Sequence, residues 1–428
     1  MFTALEAEQL IFTLIVPIDS QIDPKNAALK NDAIETIDLS RASNAASCLG
    51  RILASPVTSQ LDFPHWDNSA MDGYAVRASD VQQVPTTLQI VEEIPAGQPP
   101  SKKVEPDQAA RILTGAMMPV GADTVVMQEE TTRDGDQVTI LQVPQPQSFV
   151  RHRGSFYQAG AELLPAAQVI SPAEIALLAA AGQTQVNVYR RPRIAILSTG
   201  SELVSPAQSL QPGQIVDSNQ YALASLVAQT GAVPLPLGIV RDNRTAVKEA
   251  IASALSQADM VLSTGGVSVG DYDYVDDVLA ELGATLHIRS VAVKPGKPLT
   301  VAGFEGTAHT FSQQPVYFGL PGNPASAMVG FWRFVAPAIA KLSGRPGPWS
   351  PNFVWATANT ELRAGGKRET YLWGQLSSSE TGYAFERAAG SHSSGNLVNL
   401  ANTSGLGIVP QGETIIEAGQ PVQVLKIR

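Results

Sequence analysis

The chain contains few of the residues that build disulfides, zinc sites or membrane spans. Its single cysteine, Cys48, excludes an intrachain disulfide, and five histidines are too few for a Cys/His zinc pattern. No apolar run is long enough to cross a membrane. The formal net charge of -10 disfavours attraction to nucleic acid, so local lysines or backbone amides must hold any anionic ligand. We therefore expect a small ligand and a hard, oxygen-liking metal, with neither nucleic acid nor membrane as a partner.

What is present is an ordinary globular composition, long enough for several domains. The 428 residues are 44% hydrophobic and 16% charged, without low-complexity tracts. Around Leu5 to Ile15 the apolar spacing is that of an amphipathic helix, and the basic n-region of a signal peptide is missing. This pattern predicts a cytoplasmic protein.

Changes of pattern along the chain predict a multidomain α/β protein. Segments 1–60 and 151–191 are expected to combine into one N-terminal region, which includes a helix from Pro172 to Ala181 with Ser171 as its cap and Pro172 at its first position. Residues 61–150 contain short β-like runs punctuated by proline and glycine, which predict a small inserted β domain. Over 192–344 strands alternate with helices, as in a doubly wound, mostly parallel sheet. A proline-rich hinge then leads into 345–428, expected to form a small barrel or sandwich.

In open α/β sheets, ligands lie beyond the carboxyl ends of the strands. Each expected strand of this region is followed by chemically capable residues, so five loops should face one crevice. The expected strands are 193–198, 236–240, 259–263, 288–293 and 316–319, and the expected helices are about 218–230, 245–257, 273–282 and 324–342. The loops carry, in order, Glu202, Asp242, the glycine turn 264–273, Lys294 with Lys297, and the run Pro321, Gly322, Asn323 and Pro324.

The glycine turn is the most informative of these loops. Gly265 and Gly266 let the backbone approach a ligand and turn its amides, together with Ser268, toward an anion. Asp271 and Asp273 carry carboxylates that cannot hold an anion themselves. The combination predicts a phosphate-like ligand accompanied by a metal ion.

Each loop also has a plain structural explanation. Glu202 and Asp242, taken singly, are ordinary solvated acids. Lys294 and Lys297 flank a Pro-Gly turn, where lysines commonly serve solubility. Asn323 can simply cap the helix that follows it, although the same helix terminus can also hold an oxyanion.

Convergence of the acidic loops favours a bound cation. Glu202, Asp242 and Asp273 would repel one another by on the order of 4 kcal/mol per pair at about 4 Å and an effective dielectric of about 20. Oxygen-only ligands suit Mg²⁺, which commonly bridges substrate phosphates. We therefore predict Mg²⁺ at these three residues and a phosphorylated substrate.

A second polar constellation lies in the predicted β domain. The loop Asp67-Asn-Ser-Ala-Met-Asp-Gly-Tyr-Ala-Val76 packs two acids, an amide and a hydroxyl before a strand, and Arg111-Ile-Leu-Thr-Gly-Ala116 adds a polar rim. Asp67 and Asn68 can equally form an Asx-turn, and Gly73 an ordinary bend. The residues alone leave both interpretations open.

Taken in order, these segments resemble the molybdopterin molybdenumtransferase family, which includes MoeA and the gephyrin E domain. The resemblance covers nearly the whole chain. The loop that ends at Val76 distinguishes this family from related molybdopterin-binding-like proteins, such as adenylyltransferases and CinA-type nucleotide hydrolases. The matching segments are Asp67–Val76, Arg111–Ala116, Ser198–Leu203, Ser263–Gly270, Lys294–Pro298 and Gly319–Pro324.

The resemblance implies a fold, a reaction and an assembly. The fold is an elongated N-terminal region built from two segments, an inserted β domain, a molybdopterin-binding-like α/β domain and a C-terminal β barrel. The reaction inserts molybdenum from molybdate into adenylylated molybdopterin and releases AMP, with Mg²⁺ as the usual metal. The active site is implied to lie between the α/β domain of one subunit and the inserted domain of the other in a homodimer. A molybdopterin adenylyltransferase would be a transient partner.

By position, the resemblance also implies functional residues. Asp72 and Thr114 would act from the partner subunit on the pterin or phosphate. Lys294, with Lys297 in the same motif, would hold oxygens of molybdate or phosphate as a point charge. The matching catalytic positions are Asp72, Thr114, Glu202, Asp242, Asp273 and Lys294, the metal would fall to Glu202, Asp242 and Asp273, and Pro321 and Pro324 match binding positions.

Three departures from the family pattern predict a leaner metal site with retained activity. Ser155 and Phe156 stand where the family often has acids. Ser201 replaces an acid beside the retained glutamate of the Thr-Gly-Asp-Glu motif. A basic residue before the Lys-Pro-Gly-Lys motif aligns with Ser290, although the adjacent Arg289 can substitute.

Two other functions stay open at this point. One is a pterin-binding scaffold without turnover, as the gephyrin comparison allows. The other is a CinA-like nucleotide hydrolase, which would act on ADP-ribose or nicotinamide mononucleotide without a pterin.

Overall fold

The structure is a computed structural model that describes residues 1–18, 33–266, 274–304, 315–379 and 382–427. Within these ranges the strands assemble into three six-stranded sheets and several two-stranded ones. No helix in the described part of the chain has the length and apolarity needed to cross a membrane. The predicted multidomain α/β architecture is confirmed.

The central sheet belongs to the α/β region. Its six strands are numbered here in chain order: β1 (Arg193–Thr199), β2 (Val233–Val240), β3 (Met260–Thr264), β4 (Thr285–Ser290), β5 (Pro298–Gly303) and β6 (Val316–Leu320). From edge to edge their order is β2, β1, β3, β6, β5, β4. The strands β1, β2, β3 and β6 are parallel, whereas β5 is antiparallel to both of its neighbours. The predicted mostly parallel sheet is therefore confirmed, with one reversed strand.

The sequence misplaced one strand of this sheet and missed another. We expected a strand over 288–293, but β4 ends at Ser290, and Val293–Lys294 pairs instead with the strand Glu369–Ser379. The missed strand is β5, which follows directly. The chain reverses between them because a proline cannot extend the ladder and because Gly296, with φ of 104°, adopts a left-handed conformation.

Two hydrophobic cores cover the two faces of the central sheet. In β1, Ile194 and Ile196 belong to one core, and Ala195 and Leu197 to the other, because successive strand side chains point to opposite faces. The first core packs against the helices Asn219–Gln229 and Pro324–Gly330, the π turn Phe331–Val335 and the helix Ala336–Leu342, and the second against Arg244–Leu255 and Val275–Glu281.

The N-terminal helix Ala4–Leu14 packs against this α/β region, although we assigned it to the N-terminal region. Ala7 and Ile11 are fully buried in the first core. Thr3 and Glu6 form a reciprocal capping box at the start of the helix. The helix is therefore held firmly next to the central sheet, and the domain boundaries drawn from sequence remain a prediction.

The rest of the two N-terminal segments pack together around their own core. Ser171 caps the helix Pro172–Ala180 with Pro172 at its first position, as predicted. The paired strands are Ile34–Asp38 with Gln185–Tyr189 and Val57–Thr58 with Glu162–Leu164, and a short helix covers Ala45–Cys48.

Two further β assemblies complete the chain. The inserted sheet has, from edge to edge, Thr124–Met127, Gly73–Val76, Gln108–Ile112, Thr86–Ile94, Gln137–Ile140 and Thr131–Asp134. At the C-terminal end five strands close into a barrel, as the family resemblance implied. They are, around the ring, Phe353–Ala358, Gly382–Arg387, Glu369–Ser379, Gly405–Val409 and Pro421–Lys426. The short pairs are Asn68–Ser69 with Val150–Arg151, Leu203–Val204 with Ile215–Val216, and Leu362–Arg363 with Ile415–Ile416.

Candidate active site

The described parts of all five predicted loops lie at one edge of the central sheet. The carboxyl ends of β1, β2, β3 and β6 share that edge because these strands are parallel neighbours. Since β4 and β6 both run antiparallel to β5, the loop between β4 and β5 lies there as well. The strand order therefore brings together residues that are more than a hundred positions apart.

Glu202 and Asp242 lie on adjacent strand ends and are linked through Ser201. The Ser201 amide donates to Oδ2 of Asp242 at 3.0 Å, and its hydroxyl accepts from the Asp242 amide at 3.3 Å. Gly200 leaves room for the Glu202 carboxylate, because a Cβ there would lie 2.9 Å from both of its oxygens. The departure at Ser201 thus contributes a bridge between the two retained acids, which are both exposed.

The start of the glycine turn is tightly packed between neighbouring strand ends. Gly265 has φ of 84°, and a Cβ on it would lie 2.3 Å from the carbonyl oxygen of Thr199. The Gly265 amide donates to the carbonyl of Leu320 at 3.2 Å, and a Cβ on Gly322 would lie 3.6 Å from the Cα of Gly265. Only glycine fits at position 265, because any other residue would bring a Cβ against Thr199. The turn and the loop after β6 are therefore in direct contact.

Three predicted residues of this turn, Ser268, Asp271 and Asp273, lie outside the described residues. Among the residues that are described, no group of three or more His, Cys, Asp or Glu could hold a metal ion. Glu202 and Asp242 nevertheless supply carboxylate oxygens from adjacent loops, which is the donor type that Mg²⁺ prefers. The carboxylates of Glu202 and Asp242 fit Mg²⁺, and the three-residue metal site remains a prediction.

Lys294 and Lys297 lie on a closed loop beside the helix that follows β6. The Val291 amide donates to the Lys297 carbonyl at 2.9 Å, which closes the loop. A Cβ on Gly296 would lie 3.4 Å from the carbonyl oxygen of Ser326, so the loop touches this helix. Both ammonium groups are exposed, and within the described ranges neither forms an ion pair. Two exposed positive charges therefore lie at this edge.

The loop after β6 differs from the sequence expectation in two respects. Asn323 occupies the N-cap position, but its side chain makes no capping hydrogen bond, so the interpretation of Asn323 as a side-chain cap does not hold. The Ala325 amide donates to the carbonyl of Ser394 at 2.9 Å and is therefore not available to an oxyanion. Pro321 is buried and Pro324 begins the helix, so both shape the loop.

Sequence reasoning missed two residues that contact this edge, Asn219 and Ser394, and one, Asp217, that supports the helix carrying Asn219. The side-chain amide of Asn219, only 8% exposed, donates to the Gly322 carbonyl at 2.8 Å. Asp217 is buried and accepts from the Gln220 amide at 3.2 Å, which caps the helix. Ser394 reaches the edge from the barrel region. The run Asp217-Ser-Asn219 indicates the start of a helix, but only the fold shows that the side-chain amide of Asn219 contacts Gly322.

Asp72 and Thr114 form a second site on the inserted sheet. The amide and the hydroxyl of Thr114 both donate to Oδ1 of Asp72 at 2.7 Å. These two hydrogen bonds, the backbone one first, lower the pKa of the Asp72 carboxyl, which keeps it ionised. Arg111 supports the loop by donating to the Gly73 carbonyl at 2.9 Å and to the Gln128 side chain. The pair is an exposed, fixed negative charge.

The neighbouring departures have their own packing. The Asp67 carboxylate accepts from the Arg153 amide at 2.7 Å and lies 3.1 Å from Nδ1 of His152. The ring of Phe156 packs beside that of Phe63 at 5.7 Å. Arg289, which can substitute for a missing basic residue, pairs with Asp276 at 3.2 Å. In the described part of the chain, no hydrogen bond joins the Asp67–Val76 loop or Thr114 to the edge of the central sheet.

Comparison with known proteins agrees with this architecture along the whole chain. Family models match in three parts. Residues 5–182 match the MoeA N-terminal region (domain I and II), 195–341 the probable molybdopterin binding domain, and 356–427 the MoeA C-terminal region (domain IV). The order of the three matches is the order of the regions described above.

Relatives and solved structures agree with these matches. The molybdopterin molybdenumtransferase of Nostoc sp. is 55% identical over 99% of this chain and 93% of its own length. That of Haemophilus influenzae is 34% identical over 89% and 92%. The crystal structure of the molybdopterin biosynthesis moeA protein from Pyrococcus horikoshii aligns with a TM-score of 0.80 at 25% identity, covering 100% of both chains. The chain therefore belongs to the MoeA family of molybdopterin molybdenumtransferases, which are transferases.

Proposed function

We propose that this protein inserts molybdenum from molybdate into adenylylated molybdopterin, with Mg²⁺-dependent release of AMP. The observation that carries the proposal is the single sheet edge that holds two exposed lysines, two linked carboxylates and a glycine turn. Positive charge, hard oxygen donors and close backbone approach are what a phosphoanhydride substrate and an oxyanion require. Family membership supports transfer of molybdenum to molybdopterin as the kind of reaction that such an edge would serve.

The glycine turn and the lysines would bind the substrates. Gly265 and Gly266 carry no Cβ, so the phosphate end of the pterin nucleotide can approach the backbone. Lys294 and Lys297 would hold molybdate or phosphate oxygens, because an exposed ammonium can reorient toward either anion. Asn219 would keep the Gly322 loop in place through its hydrogen bond to that carbonyl.

Mg²⁺ would be held by Glu202 and Asp242, together with Asp273. When bound, it would stabilise the charge that develops on the phosphate oxygens. Such stabilisation is worth several kcal/mol in comparable sites. The Ser201 bridge keeps the loops of Glu202 and Asp242 at a fixed separation through its two hydrogen bonds with Asp242. These two hydrogen bonds would orient the loops that carry the donors.

Asp72 and Thr114 would complete the site from the other subunit of a homodimer. Their fixed, ionised carboxylate is exposed on the inserted sheet, away from any hydrogen-bonded link to the edge within the described chain. A second copy is one way to bring it to the pterin. We further propose a cytoplasmic enzyme that receives its substrate from a molybdopterin adenylyltransferase in a transient contact.

The test is anaerobic turnover with purified protein, adenylylated molybdopterin, Mg²⁺ and molybdate. AMP release should require both molybdate and Mg²⁺, and omission of either is the control. Pterin binding without AMP release would instead identify a scaffold. Hydrolysis of ADP-ribose or nicotinamide mononucleotide without a pterin would identify a nucleotide hydrolase. Either outcome would refute the proposed reaction.

The shared site has a separate test. Asp72→Asn and Asp273→Asn each remove one charge with little change of volume, so each variant alone should lose turnover and keep its fold. If the site crosses a dimer interface, mixed subunits should regain part of the activity, because one of the two sites is then intact. Verified heterodimers that stay inactive would show that each site lies within one subunit.

A further inference from the structure

A buried charged network lies behind the loop that carries Lys294. Arg333, in the π turn after the helix that follows β6, is only 4% exposed. Its Nη1 pairs with Glu8 of the N-terminal helix, and its Nε donates to the Tyr371 hydroxyl at 3.0 Å. Tyr371 in turn donates to Glu369. A guanidinium this deeply buried is stable only when its charge is paired and hydrogen-bonded, so the network holds Arg333 against Glu8 and Tyr371.

Both partners of Arg333 belong to elements that flank the segment leading to Lys294. On one side, Phe2 donates its amide to the Ser290 carbonyl at 3.3 Å and accepts from the Ala292 amide at 2.7 Å. On the other side, the Glu369 amide donates to the Ala292 carbonyl at 3.0 Å, and Val293–Lys294 pairs in parallel with the barrel strand. The segment is held between the N-terminus and that strand.

Arg333 joins these two flanking elements through its side chain. Glu8 lies in the helix directly after Phe2, and its other carboxylate oxygen accepts from the Ser350 hydroxyl at 2.9 Å. Tyr371 lies two residues after Glu369 in the barrel strand. The N-terminal helix and the barrel strand, which flank the segment leading to Lys294, therefore both contact the guanidinium of Arg333.

The surroundings of the guanidinium keep it in one position. Its central carbon lies 5.2 Å from the centroid of the Phe334 ring and 5.5 Å from that of Phe353. Burial holds the pKa of the Tyr371 hydroxyl well above its usual range, so this group stays protonated and can accept from Arg333 while donating to Glu369. A π turn is a rare device that is frequent at functional sites.

We propose that Arg333 is a positioning residue for Lys294 and Lys297. By tying the N-terminal helix to the first part of the barrel strand, it fixes the backbone segment from which the loop with both ammonium groups projects. Misplacement by about 1 Å can cost on the order of 100-fold in catalytic efficiency, so loss of a rigid support should weaken the binding of an anion by these two lysines. The inference rests on the proposed function only for the identity of the anion.

The first test needs no turnover. In the double variant Arg333→Met and Glu8→Gln both charges are removed, so no unpaired carboxylate stays buried. Hydrogen exchange of the Val291 and Ala292 amides should accelerate about fivefold or more. The reason is that their acceptors, the carbonyls of Lys297 and Phe2, are less constrained in this variant. The rates at which an acylating reagent modifies Lys294 and Lys297, followed by mass spectrometry, should change in parallel. Tyr371→Phe, which removes only one hydroxyl, should show the same changes to a smaller extent.

The second test uses the reaction. The double variant should raise the KM for molybdate about tenfold while kcat changes much less, because the variant displaces a binding group and leaves the reacting groups in place. A merely structural role would lower the amount of active enzyme and leave KM unchanged.

A matched control is available at the other end of the sheet. Arg190 forms a bidentate pair with buried Asp259, with both distances at 2.7 Å. The double variant Arg190→Met and Asp259→Asn should lower stability without changing the exchange of the Val291 amide or the KM for molybdate.

Two results would overturn the inference. One is unchanged exchange and unchanged lysine modification in the Arg333 variant at equal folded fraction. The other is an equal change in the Arg190 control, which would show a general loosening. If the wild-type protein releases no AMP, the proposed reaction fails, while the exchange experiment still decides the role of Arg333.

Discussion

Replacement of Gly265 by alanine should damage the site, because the added Cβ would overlap with Thr199. The residue has φ of 84°, a left-handed conformation that costs an L-residue about 1–2 kcal/mol. In addition, the new Cβ would lie 2.3 Å from the carbonyl oxygen of Thr199 and 2.9 Å from its hydroxyl. Forcing extra atoms into a packed position costs about 1–3 kcal/mol. The expected total is about 2–5 kcal/mol of unfolding free energy.

Gly231 provides a control with the same backbone conformation and no contact. Its φ is 88°, and no atom lies within 4 Å of a Cβ built there. Gly231→Ala should therefore cost only the conformational part, about 1–2 kcal/mol. The difference between the two variants isolates the steric overlap at Gly265.

Chemical denaturation followed by circular dichroism measures the two stabilities, and pterin-nucleotide binding measures the site. Gly265→Ala should be the less stable variant and should bind the nucleotide weakly, because relief of the overlap must shift the end of β1 or the turn itself. Gly231→Ala should bind normally. Equal stability of the two variants, or normal binding by Gly265→Ala, would refute the close approach on which the reasoning rests.

Three further predictions concern single side chains. Asp72→Asn should keep its thermal midpoint, since an amide oxygen can still accept both hydrogen bonds from Thr114, but turnover should fall on the order of 100-fold because the charge is lost. Ser201→Asp places a second carboxylate beside Asp242, so it should lower the thermal midpoint in EDTA and lower the Mg²⁺ concentration needed for half-maximal AMP release. Burial lowers the pKa of His392 in the folded protein, so its stability contribution is complete above about pH 6.5 and is lost as pH falls through the lowered pKa. His392→Gln should therefore reduce the loss of unfolding free energy between about pH 7.5 and about pH 5.5.

Each of these predictions has an outcome that contradicts it. A lower thermal midpoint in Asp72→Asn would mean that the charge is structural. An unchanged Mg²⁺ requirement in Ser201→Asp would argue against a metal at this corner. Equal pH dependence of wild type and His392→Gln would assign the acid sensitivity to other groups.

Local patterns predicted much of the fold because they depend on neighbours in sequence. Alternating strands and helices over 192–344 predicted the sheet, and Ser171 with Pro172 predicted a helix start that the structure confirms. The same reasoning failed at 288–293, because the reversal at Gly296 and the pairing of β5 depend on a partner strand. Of the two interpretations of Asn323, the structure contradicts side-chain capping, because the N-cap position does not ensure a capping bond.

By itself the sequence determined the family, through its long motifs, and it predicted that the polar loops meet at one edge, because loops after parallel strands share one side of a sheet. Only the tertiary structure decided which of these residues touch. The bridge from Ser201 to Asp242, the contact of Asn219 with Gly322 and the tie of Arg333 to two distant elements join positions far apart in the chain. Such contacts are set by strand order and helix packing, which local spacing does not encode.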